Sequence, residues 1–562
     1  MKNHLIAFLI LAMGLSTATY AQNRGDVIGT SVIFDFSKSQ TQNSINSIIP
    51  INLPNWVVNL LTDIDYGTKG YKVNYWTVDF DNNLVPASGL VVVPKNYGCN
   101  HDMFVYCHGT VFEKDQVPSN FSGAGDGVEI IFGLIYGGNG YLTVMPDYLG
   151  LGDSPEFHLY VDEKTETTAT VDLMKAAQNL SNTNGWGLTG DVLLSGYSQG
   201  GHAGMSVFKS ISQTNQPSGL NDIATVGLGS GPYDLSTTQY NFILDDPFYP
   251  TREYILYTIA SCQEAYGNIY TTPEDILRDP YADLYTSEIL GQTGNTAWVP
   301  SPYTDMFQPG VYSNYVNNPN NPLRQCLAQS DVADWYNTTN SAFYYCTGDE
   351  QVDFHNSLVA EDEMEDNLPW YYFWYAGLIN AVYVGGFSHF DCVIPYGILS
   401  KWQFDAYQSW CWWADDPSGE DKVITNELII RPTNYLYTEI NLAAVNQPVR
   451  TIELIDFSGT VVKTFDKIDR KLEILQLETA ELDYGAYGIR ATLEDGEVLH
   501  NLAVIQEPDV ISHPDYSPLS YDRKAGKYHL DLSLIPAEIF DIRVYNEEKI
   551  LLESFGEVGM IS

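Results

Sequence analysis

The stretch 192–200, Val-Leu-Leu-Ser-Gly-Tyr-Ser-Gln-Gly, decides the fold of this 562-residue chain. The apolar residues 192–194 predict a strand, and Gly-x-Ser-x-Gly after a strand is typical of a nucleophile elbow, a tight turn that leads into a helix. Glycine suits positions 196 and 200 because a Cβ there would collide with the neighbouring strand or helix. The turn predicts that the hydroxyl of Ser198 projects above a sheet from strained backbone geometry.

The regions around this stretch alternate between strand and helix patterns. Strands are predicted at 71–78, 87–93, 103–107, 141–146, 191–195, 223–229 and 342–346, and helices at 163–181, 199–212 and 396–413. This alternation predicts an α/β catalytic domain over 28–415, with a mostly parallel sheet covered by helices on both faces. Residues 236–341 interrupt the pattern and predict a long cap insertion, either a moving lid or a static subdomain.

The helix pattern ends near residue 415. Residues 416–424 are predicted to be a linker, 425–506 a small all-β module, and 507–562 a second β module that ends early. Segments 438–465 and 528–555 align without a gap at an offset of ~90 residues, with coinciding apolar positions. We interpret this match as an internal repeat.

Composition limits the possible functions. The net charge of −44 comes from 71 acidic and 27 basic residues, and such a surface repels nucleic acid and anionic lipid. Its simplest interpretation is solubility, with a cationic partner as the alternative. Residues 1–21, with basic Lys2 and an apolar run over 5–11, are predicted to be a secretory signal peptide. No later apolar stretch is long enough to predict a transmembrane segment, so we expect a secreted or cell-surface protein.

The seven cysteines lie at positions 99, 107, 262, 326, 346, 392 and 411. Export permits disulfides, and the odd count leaves at least one thiol unpaired. Cys99 and Cys107 flank a predicted strand and are not expected to bond to each other. No Cys or His spacing resembles a zinc site, so no metal is expected.

A serine nucleophile needs a general base and a carboxylate that orients it, here in the chain order Ser, acid, His. Asp349 is the predicted acid because it follows the apolar run 343–346, at the carboxyl end of a strand; Glu350 and Asp353 are its competitors. His389 is the predicted base, in a glycine-rich loop after the apolar run 381–384. His202 is too close to the elbow, and His355 follows Asp349 too closely.

The oxyanion formed during acyl transfer needs backbone N–H donors. One predicted donor is Gln199, directly after the nucleophile. The other is Thr110 or Gly109, in the His-Gly-Thr turn after strand 103–107. The glycine-rich segment 146–154 lacks the Gly-Lys-Ser/Thr ending of a phosphate loop and is predicted to form a turn at the rim of the site. This chemistry requires no cofactor.

Taken together, these motifs resemble the secreted α/β-hydrolase lipases and esterases of the secretory lipase type. The resemblance covers roughly 70–412 and is carried by the His-Gly-Thr loop, Pro-Asp-Tyr-x-Gly-x-Gly-Asp-Ser, Gly-Tyr-Ser-Gln-Gly-Gly, the Asp349 loop and His389-x-x-Cys392. It implies a Ser198–Asp349–His389 triad, a cap between the strands after the nucleophile and before the acid, and carboxylic ester substrates. Cys346 departs from the family, in which glycine more often precedes the acid loop.

Region 425–506 resembles the C-terminal sorting domain of Bacteroidetes proteins exported by the type IX system. The resemblance rests on Pro432, the turn at 458–459 and Gly-Ala-Tyr at 485–487. It implies export machinery as a partner; a plain β accessory module is the alternative.

The sequence therefore predicts a secreted serine hydrolase that cleaves small-molecule esters or lipids through an acyl-enzyme. Two alternatives remain open: a serine aminopeptidase of the same fold, and a surface binding protein that has lost catalysis.

Overall fold

The computed structural model describes residues 22–49, 53, 55–121, 129–213, 223–369 and 378–408. Beyond these it describes 429–434, 437–442, 445, 447–456, 459–466, 468, 474–478, 482, 485–505, 519–522, 527–530, 542–545 and 551–555. The predicted signal peptide (1–21) and linker (416–424) lie outside the described residues. None of the helices in the described part is long and apolar enough to cross a membrane.

Nine of the described strands form one sheet. They are β1 (Val27–Asp35), β2 (Thr68–Val78), β3 (Leu84–Pro94), β4 (His101–Cys107), β5 (Leu142–Pro146), β6 (Leu188–Tyr197), β7 (Ile223–Gly229), β8 (Asn340–Cys346) and β9 (Ile379–Gly385). The strand order is β1-β2-β3-β5-β4-β6-β7-β8-β9. Strands β1, β2 and β3 pair antiparallel, and β3 pairs antiparallel with β5; the pairs from β5 to β9 are parallel. The sheet is therefore mostly parallel, as the alternation predicts.

Helices cover the sheet on both faces. The described helices are α1 (Lys38–Ile48), α2 (Asn55–Thr62), α3 (Ile130–Gly138), α4 (Glu163–Asn184), α5 (Gln199–Gln213), α6 (Tyr240–Asp245), α7 (Glu253–Tyr266), α8 (Tyr281–Leu284), α9 (Val311–Asn317), α10 (Pro322–Leu327), α11 (His355–Asp366) and α12 (His389–Asp405). Side chains of α1, α3 and α12 pack in one apolar cluster, and those of α4, α5 and α11 pack in another.

The central strands supply both clusters because successive side chains of a strand point to opposite faces. In β4, Phe104 lies in the first cluster, whereas Met103 and Val105 lie in the second. All three are essentially inaccessible to solvent. A strand buried on both faces has no polar side to alternate with, which explains the continuous apolar runs in the sequence.

The segment between β7 and β8 contains helices α6 to α10 and has its own apolar cluster, rich in tyrosine. A disulfide joins Cys262 in α7 to Cys326 in α10. Tyr160 and Val161, from the segment before α4, pack in the same cluster. The insertion is therefore an internally packed helical unit that contacts the loop after β5.

The described C-terminal strands are β10 (Ile429–Asn434), β11 (Tyr437–Asn441), β12 (Val449–Ile455), β13 (Val461–Phe465), β14 (Ile474–Glu478), β15 (Gly485–Leu493), β16 (Val498–Ile505), β17 (Leu519–Asp522), β18 (Lys527–Leu530), β19 (Ile542–Tyr545) and β20 (Leu551–Phe555). Hairpins β12–β13 and β19–β20 share one register: Ile452 pairs with Phe465, and Ile542 pairs with Phe555. Both hairpins shift register one pair before the turn, so the pairing supports the repeat inferred from sequence.

Several elements differ from the prediction. Strand β1 and helices α1, α2 and α3 were not predicted. The final helix of the catalytic region begins at His389 instead of residue 396, so His389 is the first helical residue and not a loop residue. Ser388 caps that helix, since its Oγ accepts from the Asp391 backbone N–H. The predicted helical residues 409–413 lie outside the described part of the chain.

Gly200 provides a test of the elbow's packing. A Cβ on this residue would lie 1.9 Å from the Cys107 carbonyl oxygen, so Gly200→Ala forces the α5 backbone away from β4. Overpacking of this kind costs about 1–3 kcal/mol, and we expect the melting temperature to fall by several degrees. Gly29→Ala is the control, because nothing lies within 4 Å of a Cβ there. Equal melting temperatures for the two variants would contradict this packing.

Candidate active site

The elbow places Ser198 between β6 and α5. Its φ of 59° lies in the left-handed region, which residues other than glycine rarely adopt. A Cβ on Gly196 would lie 2.1 Å from the Gly200 carbonyl oxygen, which shows why the turn needs small residues on both sides. The observed backbone is the strained turn that the pentapeptide predicts.

His389 lies beside the nucleophile. Its Nε2 is 2.9 Å from Ser198 Oγ, and its Nδ1 is 2.8 Å from Asp349 Oδ2. An ionised carboxylate can only accept, so Nδ1 carries the proton and donates it to Asp349. Nε2 is then left with a lone pair that accepts the Ser198 hydroxyl. The structure thus brings together the three residues that the sequence singled out.

Asp349 is held by the turn after β8. Its Oδ1 accepts the backbone N–H groups of Gln351 and Val352, both at 2.9 Å, and Oδ2 is left for the imidazole. The two competitors have other contacts. Glu350 Oε2 accepts the backbone N–H of His389 at 3.1 Å, and Asp353 pairs with His355.

Two further contacts fix the imidazole. The Tyr197 hydroxyl donates to the His389 carbonyl at 2.6 Å, so the residue before the nucleophile holds the backbone of the base. A disulfide joins Cys346 to Cys392. Each cysteine lies three residues from a member of the pair Asp349 and His389. The disulfide therefore ties the acid loop to the helix that carries the base.

The predicted oxyanion donors differ in their contacts. The N–H of Gly109 donates to both carboxylate oxygens of Glu129, at 2.9 and 2.7 Å. In the described part of the chain, neither the Thr110 N–H nor the Gln199 N–H has a protein acceptor. The Thr110 side chain bonds to the Tyr160 hydroxyl at 3.1 Å. Of the two alternatives for the second donor, the geometry thus favours Thr110 over Gly109.

A buried polar network behind the elbow was not predicted. The carboxylate of Glu166 accepts from the Gln199 side-chain amide at 2.9 Å and from His202 Nδ1 at 2.7 Å. His202 Nε2 faces the Ser330 carbonyl at 2.8 Å. Burial disfavours a charged imidazole, but the charge and hydrogen bond of Glu166 outweigh it and raise the pKa of His202. The sequence offers no local signal for these contacts because the partners come from separate elements.

The Gln199 side chain also reaches His158. Its amide nitrogen is 3.2 Å from His158 Nε2, while His158 Nδ1 donates to the Leu149 carbonyl at 2.9 Å. Burial lowers the pKa of His158 to about 4, so this imidazole is neutral and accepts the amide. Gln199 is therefore held at its side chain, while its backbone N–H has no acceptor in the described part of the chain.

The segment 146–154 forms the turn predicted at the edge of the site. Asp147 is buried and accepts from the Ser88 hydroxyl at 2.6 Å and from the backbone N–H of Ser119 at 3.0 Å. The Tyr148 hydroxyl donates to the His108 carbonyl at 2.9 Å. These bonds anchor the turn to the loop that carries Thr110.

A cavity with an empty volume of about 360 Å³ adjoins Ser198 and opens to solvent. Its lining is mostly apolar and comes from the elbow, the loop before α4, the insertion and the acid loop: Tyr160, Val161, Ser198, Gln199, Pro232, Leu235, Gln239, Ile243, Tyr254, Thr258 and Val352. None of these described residues is charged. Nor do the described residues contain a cluster of His, Cys, Asp and Glu that could hold a metal ion.

The sequence profile of the secretory lipase family matches residues 115–249, the part of the chain that contains the elbow. No curated protein sequence matches the chain. Among solved structures, an assumed hydrolase from Legionella pneumophila superposes with a TM-score of 0.58 at 23% identity, over 68% of this chain and 97% of that one. The rice cell wall degrading esterase LipA from Xanthomonas oryzae gives 0.55 at 24% identity, over 68% and 96%.

These similarities establish the α/β-hydrolase fold. The family match, together with this fold, supports a carboxylic ester hydrolase of the lipase type. Secretion is also suggested by the family that matches.

The remaining cysteines agree with the inference from the odd number of cysteines that at least one thiol is unpaired. Cys107 is a free, buried thiol, and burial raises its pKa to about 12. Cys99 is disulfide-bonded, and Cys107 is not its partner, as predicted. The unpaired thiol is therefore unreactive at neutral pH.

The Cys346–Cys392 disulfide generates a prediction. Replacing both cysteines with serine removes the disulfide, which contributes about 4 kcal/mol to the free energy of unfolding by restricting the unfolded chain. The melting temperature should therefore fall. Because the acid and base loops lose their tether, the rate of nitrophenyl ester hydrolysis should fall ~10- to 100-fold. The matched control replaces Cys262 and Cys326, whose disulfide lies in the insertion. A fall in stability without a larger loss of rate than in the control would contradict a role in alignment.

Proposed function

We propose that the protein is a secreted serine esterase or lipase that uses Ser198, His389 and Asp349 as a catalytic triad. The observation that carries the proposal is the continuous chain of hydrogen bonds from Ser198 Oγ through the imidazole to Asp349, at 2.9 and 2.8 Å. A buried serine with no catalytic role would not need both a base and an acid aligned on it.

In the proposed reaction, Ser198 Oγ attacks the ester carbonyl carbon while His389 Nε2 takes the hydroxyl proton. Asp349 stabilises the imidazolium through Nδ1. The N–H groups of Gln199 and Thr110 bind the oxyanion of the tetrahedral intermediate. The intermediate collapses as His389 returns the proton to the leaving alcohol, and water then hydrolyses the acyl-enzyme by the same steps.

The cavity supports an ester substrate over a peptide with a free amino terminus. An aminopeptidase of this fold would need a carboxylate to bind the substrate's ammonium group. No acidic side chain lines the described cavity, whereas Leu235, Ile243 and Val352 supply apolar surface for an acyl chain. The insertion carries two of these three residues, so we propose that it acts as a cap over the site.

We further propose that export involves both ends of the chain. Residues 1–21 would direct secretion, and 425–506 would act as a type IX sorting module, with 507–562 as a second β module. The antiparallel sheet β13-β12-β15-β16 supports a compact β unit in 425–506. Within β12, the buried side chains of Ile452 and Leu454 lie on either side of the half-buried Glu453.

Ser198→Ala tests the proposal. It removes the only nucleophile in the scheme, so hydrolysis of nitrophenyl esters and labelling by a fluorophosphonate probe should both be lost, with kcat reduced ~10⁴-fold or more. Circular dichroism and the melting temperature should remain close to wild type. Retained turnover or labelling in this variant would overturn the assignment.

A second comparison tests the choice of acid. Asp349→Asn should reduce kcat by ~10³- to 10⁴-fold because an amide no longer fixes the imidazole in the productive tautomer. Glu350→Gln is the matched control: the amide oxygen can still accept the His389 backbone N–H, and we expect a change of only a few fold. If Glu350→Gln lost more activity than Asp349→Asn, the acid would be Glu350.

A further inference from the structure

Glu129, directly before α3, has no part in the reaction as described so far. Its carboxyl group accepts the Gly109 N–H with both oxygens, and Oε1 also accepts the Tyr106 hydroxyl at 3.1 Å. No lysine or arginine among the described residues pairs with it. Glu129 is half-buried, and a carboxylate in such a place without a cation is costly, so its presence at this position requires an explanation.

The carboxyl group of Glu129 and the side chain of Ser198 both lie close to Gly109. A Cβ built on Gly109 would lie 3.1 Å from Glu129 Oε1, 3.3 Å from the Tyr197 carbonyl oxygen and 3.5 Å from Ser198 Cβ. The carboxyl group and the elbow therefore flank the same glycine. The next residue is Thr110, whose N–H has no acceptor among the described residues.

We propose that Glu129 is a positioning residue that holds the His108–Gly109 peptide, next to the peptide that carries the Thr110 N–H, so that this N–H can bind the oxyanion, and that the ionisation of Glu129 opposes the reaction. This inference rests on the proposed function. The first half follows from the hydrogen bonds, because an accepted N–H fixes its own peptide plane, here that of His108 and Gly109. This plane is the frame from which the backbone of Gly109 orients the next peptide, whose carbonyl oxygen lies 2.7 Å from His108 Nδ1 and whose N–H is that of Thr110. The second half follows from charge, because an anion beside the oxyanion site destabilises a transition state that is itself anionic.

Among the described residues, the other titratable groups that face Glu129 do not change charge near neutrality. They are Tyr106 and Cys107 of β4, Tyr148 of the loop after β5, and Tyr396 of α12, and burial raises the pKa of each. His108 is neutral because burial lowers its pKa.

Burial raises the pKa of Glu129 itself to about 7. It is therefore neutral below that pH, where it can hold Gly109 without repelling the oxyanion, and it becomes charged above it.

Glu129→Gln keeps the hydrogen-bond acceptor for the Gly109 N–H and removes the ionisable group, so it separates the two effects proposed for Glu129. The glutamine oxygen still accepts the Gly109 N–H but never ionises. We expect its kcat/KM for nitrophenyl butyrate, divided by that of wild type, to rise about tenfold from pH 6 to pH 9. Glu129→Ala loses the acceptor, so its kcat should fall ~10- to 100-fold at all pH values while KM changes less than about threefold. The control, exposed Glu264→Gln in α7, should follow the wild-type profile.

A flat Glu129→Gln ratio, or a wild-type kcat for Glu129→Ala, would overturn the inference. Active-site titration with a fluorophosphonate and the melting temperature show whether each variant is folded. Should Glu129→Ala not fold, the pH ratio of Glu129→Gln decides alone. Ser198→Ala separates the two proposals: turnover in that variant refutes the triad, whereas an inactive Ser198→Ala with a flat Glu129→Gln ratio refutes only the role of Glu129.

Discussion

The site depends on the close approach of helix α5 to the end of strand β4. Cys107 of β4 pairs with Gly196 of β6, and Gly200 packs its backbone onto the Cys107 carbonyl. This contact brings the start of α5 beside the loop that follows β4. As a result, the amides of Gln199 and Thr110, far apart in sequence, lie at the same edge of the sheet as Ser198. The strained φ of Ser198 is maintained because the packing of α5 against β4 excludes other backbone conformations of the turn.

Helix α12 connects His389 to the end of strand β6, directly before Ser198. His389 is its first residue, and two turns later the Tyr396 hydroxyl accepts the Gly196 N–H at 3.1 Å and contacts the Ser195 hydroxyl at 2.7 Å. The Tyr197 hydroxyl returns the contact by donating to the His389 carbonyl. His389 and the elbow are thus joined by helix α12 and two tyrosine hydroxyls, and the Cys346–Cys392 disulfide holds the Asp349 loop to the same helix. Support of this kind would hold these side chains in the alignment that the proposed acyl transfer needs.

Most of the sheet and the order of the three candidate residues could be predicted from sequence, because both are written in local patterns. Apolar runs mark buried strands, and glycine marks the elbow at Gly196. Strand β1 was missed because its edge position leaves most of its side chains exposed, and Gly-Thr-Ser at 29–31 divides its apolar residues into two short groups. Glu129 and Glu166 were missed because a lone glutamate in a helical or loop segment has the same local pattern whether it is solvated or buried. Only tertiary contacts distinguish the two cases.

Two carboxyl groups near Ser198, those of Glu166 and Glu129, differ in how their partners offset the cost of removing a negative charge from water. Glu166 has one oxygen on the Gln199 amide and the other on His202, whose charge compensates its own. Glu129 has two neutral donors, Gly109 and Tyr106, and no cation among the described residues. Since hydrogen bonds from neutral groups offset less of the cost of burying a charge than an ion pair does, Glu129 is the carboxyl group whose protonation responds to pH near neutrality. The structure therefore separates a carboxyl group paired with an imidazole, which holds the elbow from behind, from a carboxyl group with neutral donors only at the loop that carries Thr110.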